Sequence, residues 1–465
     1  MKALIALTIL AVLALFVGLL KSRKLLLPLV LLGLAGVLAL VMQYGCQCEG
    51  TFFHQYFDES TYRNMFSFDK FAAVFAGMML VATLLISMLA TDGFIYNESH
   101  RPELFALMLF SLCGGIVMVG STHLVMLFLG IEILSIPAYV LAGSNQRDSQ
   151  SNEAALKYFL MGAFTTGILL FGIALMYGGS GSMSLDGLMT YSRHSEVSGM
   201  FKAGMLLVLI AMCFKIGIAP FHFWGPDVYE GTPSIITSYM ATVVKTAAIA
   251  ATFRFFAQII GHDAAWMISL VWMAALTMFI GNLTATVQSG FKRMLAYSSI
   301  AHAGYVLIAF FTPSLQATQS VVFYLAAYTV ATIACFAVLI GVQQQRKNDL
   351  FESFNGLAKT NPLAAFTLTL ALLSLAGIPP LAGFFAKYYL FSNGWAGYPW
   401  LILVAIINSA ISIYYYFRTI IAMWFHEPTD EPLSFSMLQK VVLLLTLAGL
   451  FTLGLMPGLL LDFLG

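Results

Sequence analysis

Of the 21 acidic residues in this chain, only Glu132 falls deep inside an apolar run, Phe128-Leu129-Gly130-Ile131-Glu132-Ile133-Leu134-Ser135. Three lysines are equally out of place. Lys215 precedes Gly217-Ile218-Ala219-Pro220, Lys245 is central in Ala241-Thr242-Val243-Val244-Lys245-Thr246, and Lys387 follows Gly377-Ile378-Pro379-Pro380. His222 comes two residues after Pro220, and His302 lies in Ser298-Ser299-Ile300-Ala301-His302-Ala303-Gly304. A charge in hydrocarbon costs at least ~2.5 kcal/mol on insertion scales, so function is the default reading of such a residue. Unlike arginine, a desolvated lysine exchanges protons readily, and histidine titrates near neutrality. Together the types point to stepwise proton transfer. The plainer alternatives are a protonated Glu132 bonded for helix docking, lysines with structural roles, and histidines satisfied in the core. Lys245 is too central to snorkel to a headgroup layer. Lys157, one turn into its apolar run, is a candidate gate on the proton-uptake side. Lys292 and Arg293 read as helix anchors, and His54, His100, His194, His262 and His426 as solvated.

Other chemistries lack their residues. No Gly-x-x-x-x-Gly-Lys-Ser/Thr loop occurs, and no Gly-x-Gly-x-x-Gly opens a helix after a strand. Cys46 and Cys48 are too few to ligate zinc or an iron–sulfur cluster. Cys113, Cys213 and Cys335 lie in apolar segments and read as small hydrophobes. The expectation is therefore no cofactor in this chain, and a proton path powered from elsewhere.

The elements that position these groups follow from composition. The 465 residues are 60% hydrophobic and only 9% charged, with a mean hydropathy of +0.88. A soluble globule cannot cover itself with so few charges, which excludes a cytosolic enzyme, a nucleic-acid binder and a disordered chain. Lys+Arg (22) and Asp+Glu (21) nearly cancel, so net charge argues for no anionic partner. An all-α polytopic membrane protein remains. About 20 apolar residues cross a bilayer, and that template gives fourteen spans. They run near 3–20, 25–43, 70–91, 104–120, 122–142, 153–178, 202–224, 233–258, 265–287, 294–312, 318–342, 361–393, 398–424 and 437–462. The first lacks the small-residue cleavage site of a signal peptide and is read as retained. No loop could form a soluble domain, so residues 1–465 are expected to be one membrane domain. It divides into three helices (1–103), a first unit (104–260), a second (265–424) and a last helix (437–462). Odd-numbered loops hold ten Lys/Arg against four in the even loops and termini, which puts both termini outside.

Gly217-Ile218-Ala219-Pro220 and Gly377-Ile378-Pro379-Pro380 each interrupt a long apolar segment. Proline lacks the N–H and clashes with the preceding turn, so both segments are expected to be discontinuous helices. They are the seventh and twelfth spans, hence of opposite orientation. That predicts two inverted five-helix repeats, spans 4–8 and 9–13, each with a broken helix. Two unrelated proline kinks are the alternative.

Four segments together resemble the antiporter-like subunits of respiratory complex I, which are related to Mrp-type cation/proton antiporters. They are Leu127 to Pro137, Phe214 to Gly231 (Phe-Lys-Ile-Gly-Ile-Ala-Pro-Phe-His-Phe-Trp-Gly-Pro-Asp-Val-Tyr-Glu-Gly), Gly290 to Ile300, and Gly377 to Lys387. The resemblance covers nearly the whole chain. The lysine after the second break, the stretch Asn152 to Phe159 and the lack of a lateral helix past the last span point to one member of the family. It implies that Glu132 and Lys215 form an ion pair whose separation changes with the enzyme's state. It makes Lys245 a central relay, with His302 or ordered water between it and Lys387 at the output end. It puts flavin, iron–sulfur clusters and quinone in partner subunits, and gives as partners other membrane-arm subunits, including a second antiporter-like one and the small subunits beside it, with lipid around them and no nucleic acid. The expected location is the bacterial inner membrane with both termini periplasmic. Rival readings are an Mrp-type antiporter subunit, a membrane subunit of a hydrogenase- or ferredoxin-linked relative, and a purely structural membrane subunit.

Overall fold

An apolar segment that finds no water for its backbone must bond its N–H and C=O groups within itself, so helices are the form these runs can take. The computed structural model of the chain describes residues 2–20, 24–46, 65–94, 100–193, 197–259, 264–311, 314–428 and 433–461. Cys48, His54, His194 and His262 lie outside the described residues, as do the side chain of Cys46 and the loop cations Lys21, Arg23 and Arg63.

The first helices are α1 (Lys2–Val17), α2 (Leu26–Cys46), α3 (Lys70–Gly93), α4 (Arg101–Gly120), α5 (Leu124–Ala142), α6 (Ser149–Ser180), α7 (Leu185–Ser192) and α8 (Gly199–Ile216). After the first break come α9 (Trp224–Gly231), α10 (Ser234–Tyr239), α11 (Lys245–Ile259), α12 (Ala264–Thr286), α13 (Phe291–Val306) and α14 (Leu315–Arg346). The chain ends with α15 (Leu357–Thr360), α16 (Pro362–Ala376), α17 (Ala382–Trp395), α18 (Pro399–Phe425), α19 (Met437–Leu455) and α20 (Gly458–Leu461). Among the described residues, 12 stretches are long and apolar enough to cross a membrane. Two shorter apolar helices, Lys2–Val17 and Pro362–Ala376, stand where the first and twelfth spans were expected.

The eighth span is continuous over Ser234–Phe256 but is not α-helical throughout. It is α10, a π-helical stretch over Met240–Val244, and then α11 beginning at Lys245. Thr242 Oγ1 donates back to Ser238 O at 2.7 Å, a contact that bends helices. Span ten likewise starts earlier, at Phe291, and ends in a 3₁₀ turn, Leu307–Phe311.

The helices fall into two compact units, one of Met1–Leu84, Asn97–Ile216 and Val243–Trp266, the other of Leu85–Tyr96, Gly217–Thr242 and Met267–Gly465. In the first, glycines let helices meet backbone to backbone. A Cβ on Gly114 of α4 would lie 2.2 Å from Leu134 N of α5, and one on Gly204 of α8 would lie 2.6 Å from Gly172 O of α6. These close approaches fix α5 and α8, the helices that carry Glu132 and Lys215. The second unit is built around α14, which touches α16, α17 and α19. A Cβ on Gly281 of α12 would lie 2.5 Å from Ala301 N, seating α12 against α13 beside His302.

Candidate functional site

In the first unit α8 ends at Ile216, and Gly217 follows at φ +82°. The last carbonyls of a helix have no partner within it and favour a nearby cation. Lys215 sits in that last turn, 9% exposed. Its Nζ donates to Ser135 Oγ at 2.9 Å and to Tyr139 OH at 3.0 Å, and lies 5.5 Å from the Tyr139 ring centre. Tyr139 is held edge-on by Tyr158, with ring centres 4.6 Å apart. Gly162 leaves its hydroxyl room, since a Cβ there would come within 2.1 Å of it. Glu132, Ser135 and Tyr139 are spaced i, i+3, i+7, so they share one face of α5. The ammonium therefore rests about one turn from Glu132 along that face. Glu132 accepts from Thr166 Oγ1 of α6 at 2.8 Å. In this structure the expected pair is held by hydroxyls on both sides.

In the second unit α16 ends at Ala376, and Gly377 caps it at φ +88°. The N–H groups of Gly377 and Ile378 both return to Leu373 O, at 3.0 Å. Gly383 N donates across the break to Ser374 Oγ, also at 3.0 Å. Lys387 folds back over the gap, 5% exposed. It donates to Ala376 O at 2.8 Å and to Ser409 Oγ at 2.7 Å, and lies 5.1 Å from the Tyr305 ring centre. His302 is bonded at both nitrogens, Nδ1 with Tyr324 OH at 2.5 Å and Nε2 with Tyr416 OH at 3.3 Å. Lys387 and His302 line one small cavity with Tyr324, Tyr328 and Ser374. Its volume of about 10 Å³ is room for about one water. Buried proton-exchanging groups, hydroxyl partners and a water-sized gap can together hand protons along.

Residues 121–412 match the family described as "NADH:quinone oxidoreductase/Mrp antiporter, TM". The chain belongs to this family. NADH-quinone oxidoreductase subunit N of Flavobacterium johnsoniae is 40% identical over 100% of both chains. The protein of the same name from Cytophaga hutchinsonii is 38% identical over 99% of both. A chain of respiratory complex I from Thermus thermophilus, solved with bound aureothin, superposes with TM-score 0.83 at 33% identity, covering 99% of this chain and 98% of its own. The likeness read from Phe214 to Gly231 and its companion segments is thus borne out. So is the particular member that the lysine after the second break pointed to.

Among the remaining candidates of this family member, Lys245 is 6% exposed and is the first residue after the π stretch. Its neighbours Thr242 and Thr246 are buried as well. His222 lies in the linker beyond the first break, half-buried, with no bond to its Nδ1. Lys157 is 38% exposed and pairs with Glu153 at 2.8 Å, one turn apart on α6. His100 and His426 are exposed, as expected. Lys292 does more than anchor a helix end. It is 4% exposed and donates to Glu230 O at 2.9 Å and to Thr232 O, which takes up carbonyls at the end of α9. Arg293 binds Asp227 at 3.0 Å and also Glu230. The hydroxyls that support these groups carry no charge to mark them in the sequence. Tyr139 and Ser135 could have been found by helical spacing from Glu132. Tyr324, Tyr416 and Ser409 carry no such signal, because helix packing alone brings them to His302 and Lys387. His123 caps α5, its Nδ1 accepting from Val125 N at 3.3 Å.

Proposed function

We propose that this chain is a proton-translocating membrane-arm subunit of NADH:quinone oxidoreductase, moving protons through its buried Glu, Lys and His groups while quinone is reduced elsewhere in the complex. The observation that carries the reading is that Lys215 and Lys387 are each buried at the carbonyl end of an interrupted helix and supported by hydroxyls. So held, each ammonium has a hydroxyl partner through which a proton can pass onward. Protonation of Glu132, or its movement away from Lys215, withdraws electrostatic support and releases the proton onward. Lys245 is the relay, His302 or ordered water bridges toward Lys387, and Lys387 delivers or passes charge to a neighbour. Lys157 gates uptake, and His222 serves beside the first break. The two breaks, Gly217/Pro220 and Gly377/Pro379/Pro380, mark inverted repeats over spans 4–8 and 9–13 of a fourteen-span domain.

Flavin, iron–sulfur clusters and quinone then belong to partner subunits, and coupling to this chain is electrostatic or conformational. The partners are a second antiporter-like subunit and the small subunits beside it, in a bacterial inner membrane with both termini periplasmic. The names of relatives at 38–40% identity favour this over an Mrp-type antiporter. A chain of the Mrp complex from Dietzia sp. shares the fold at TM-score 0.84 but only 21% identity. The test is Lys215→Ala and Lys245→Ala in the assembled enzyme, read as quinone reduction linked to pumping. Normal turnover and a normal proton-to-electron ratio in either variant sink the proposal.

A further inference from the structure

Arg254 lies nine residues past Lys245 on α11, about 13.5 Å along the axis at 1.5 Å per residue. Its side chain is 10% exposed and grips Asp69 with both prongs, Nη1 to Oδ1 at 3.1 Å and Nη2 to Oδ2 at 2.7 Å. Nη1 also donates to Val119 O, in the last turn of α4, at 3.2 Å. Asp69 in turn caps α3, with Oδ1 accepting from Ala72 N at 2.9 Å. The guanidinium carbon stands 5.6 Å from the ring centre of Phe71, which stacks on Phe253 at 6.4 Å. One side chain thus ties the start of α3, the end of α4 and α11 together, and the bonded residues Asp69, Ala72, Val119 and Arg254 all lie in the first unit.

What this fork does follows from the backbone upstream. Met240–Val244 is π-helical and Lys245 comes next. A π turn carries one residue more than an α turn, so sliding it along the helix rotates the residues it passes by about 100°. The π stretch therefore leaves the direction of Lys245 to be set from downstream. Beside Lys245, α4 and α11 meet at small residues, where a Cβ on Gly115 would sit 3.4 Å from Ala247 Cβ. That contact limits distance and leaves rotation open. A bidentate guanidinium–carboxylate fork is directional and opposes both rotation and sliding.

We propose that the Arg254–Asp69 fork is a positioning device for Lys245, holding α11 in the one rotation that aims the lysine into the proton path. The inference rests on Lys245 being a proton carrier, as argued above. It is tested in the intact enzyme with Arg254→Met, Asp69→Asn, Lys245→Ala and the Lys245→Ala/Arg254→Met double variant, each normalised to assembled complex. Coupled proton uptake should fall about two- to thirtyfold in Arg254→Met and in Asp69→Asn, the range for coupling through a structural network. The double variant should be no worse than Lys245→Ala alone, because a residue acting through Lys245 has nothing left to act on. Additive losses in the double variant overturn the inference. So does full activity in both single variants, or loss of assembly in both, which makes the fork a clamp for the fold alone. If Lys245→Ala is itself fully active, the function reading fails first.

Discussion

At the residue scale, the buried ammonium groups are supported by hydroxyls. Lys215 has Ser135 and Tyr139, and Lys387 has Ser409 with a freed carbonyl. A hydrogen bond to a charged group is worth about 1.5–3 kcal/mol. Tyr139→Phe removes one such bond and little volume. Coupled proton uptake in reconstituted vesicles is expected to drop about tenfold, since 1.4 kcal/mol is a factor of ten. Unchanged uptake would show that the hydroxyl is idle. Lys387→Arg keeps the charge but holds its proton too firmly to pass it on. Assembly is expected to survive while pumping is lost; an arginine variant that pumps normally contradicts proton exchange at this position. The charged members of the site were legible in the sequence because each violates the rule that hydrocarbon excludes charge. The hydroxyls violate nothing in sequence and stayed hidden.

At the element scale, the two breaks share a left-handed glycine but differ in what surrounds it. Gly217 at φ +82° has open space where a Cβ would go, whereas a Cβ on Gly377 at φ +88° would lie 2.8 Å from Lys387 Cδ. Left-handed backbone costs a non-glycine residue roughly 1–2 kcal/mol at either position. Gly377→Ala adds a clash with the lysine itself. Both variants are therefore expected to lower the thermal midpoint of the assembled complex modestly. Only Gly377→Ala should also depress turnover strongly; equal losses in the two would refute the distinction. The breaks could be read from Gly-x-x-Pro within apolar runs. The π stretch before Lys245 could not, because Thr242-Val243-Val244 is equally at home in an ordinary membrane helix.

For the whole molecule, the expectation is a subunit that works only in company. Affinity purification of the tagged chain in mild detergent is expected to recover flavin and iron–sulfur subunits together with inhibitor-sensitive NADH:quinone activity. Recovery with membrane antiporter subunits alone, and no NADH oxidation, would redirect the reading to an ion-gradient-driven antiporter. Cysteines placed singly at Lys2 and near the C-terminus should react with a membrane-impermeant maleimide from the periplasmic side. Labelling from the cytoplasmic side alone contradicts the orientation drawn from the Lys/Arg bias.

Composition and apolar periodicity by themselves determined that the chain is a multi-helix membrane protein, because only internally bonded helices satisfy a backbone in lipid. They also determined which buried charges and which prolines stand out, since each carries a free-energy cost that sequence displays openly. Tertiary structure decided who meets whom. Helix rotation and close glycine contacts put Tyr139 under Lys215, Ser409 on Lys387, a water-sized gap beside His302, and Arg254 on Asp69 across 185 residues. Such meetings depend on how helices turn and pack against one another, and a one-dimensional pattern of apolar and polar residues does not carry that information.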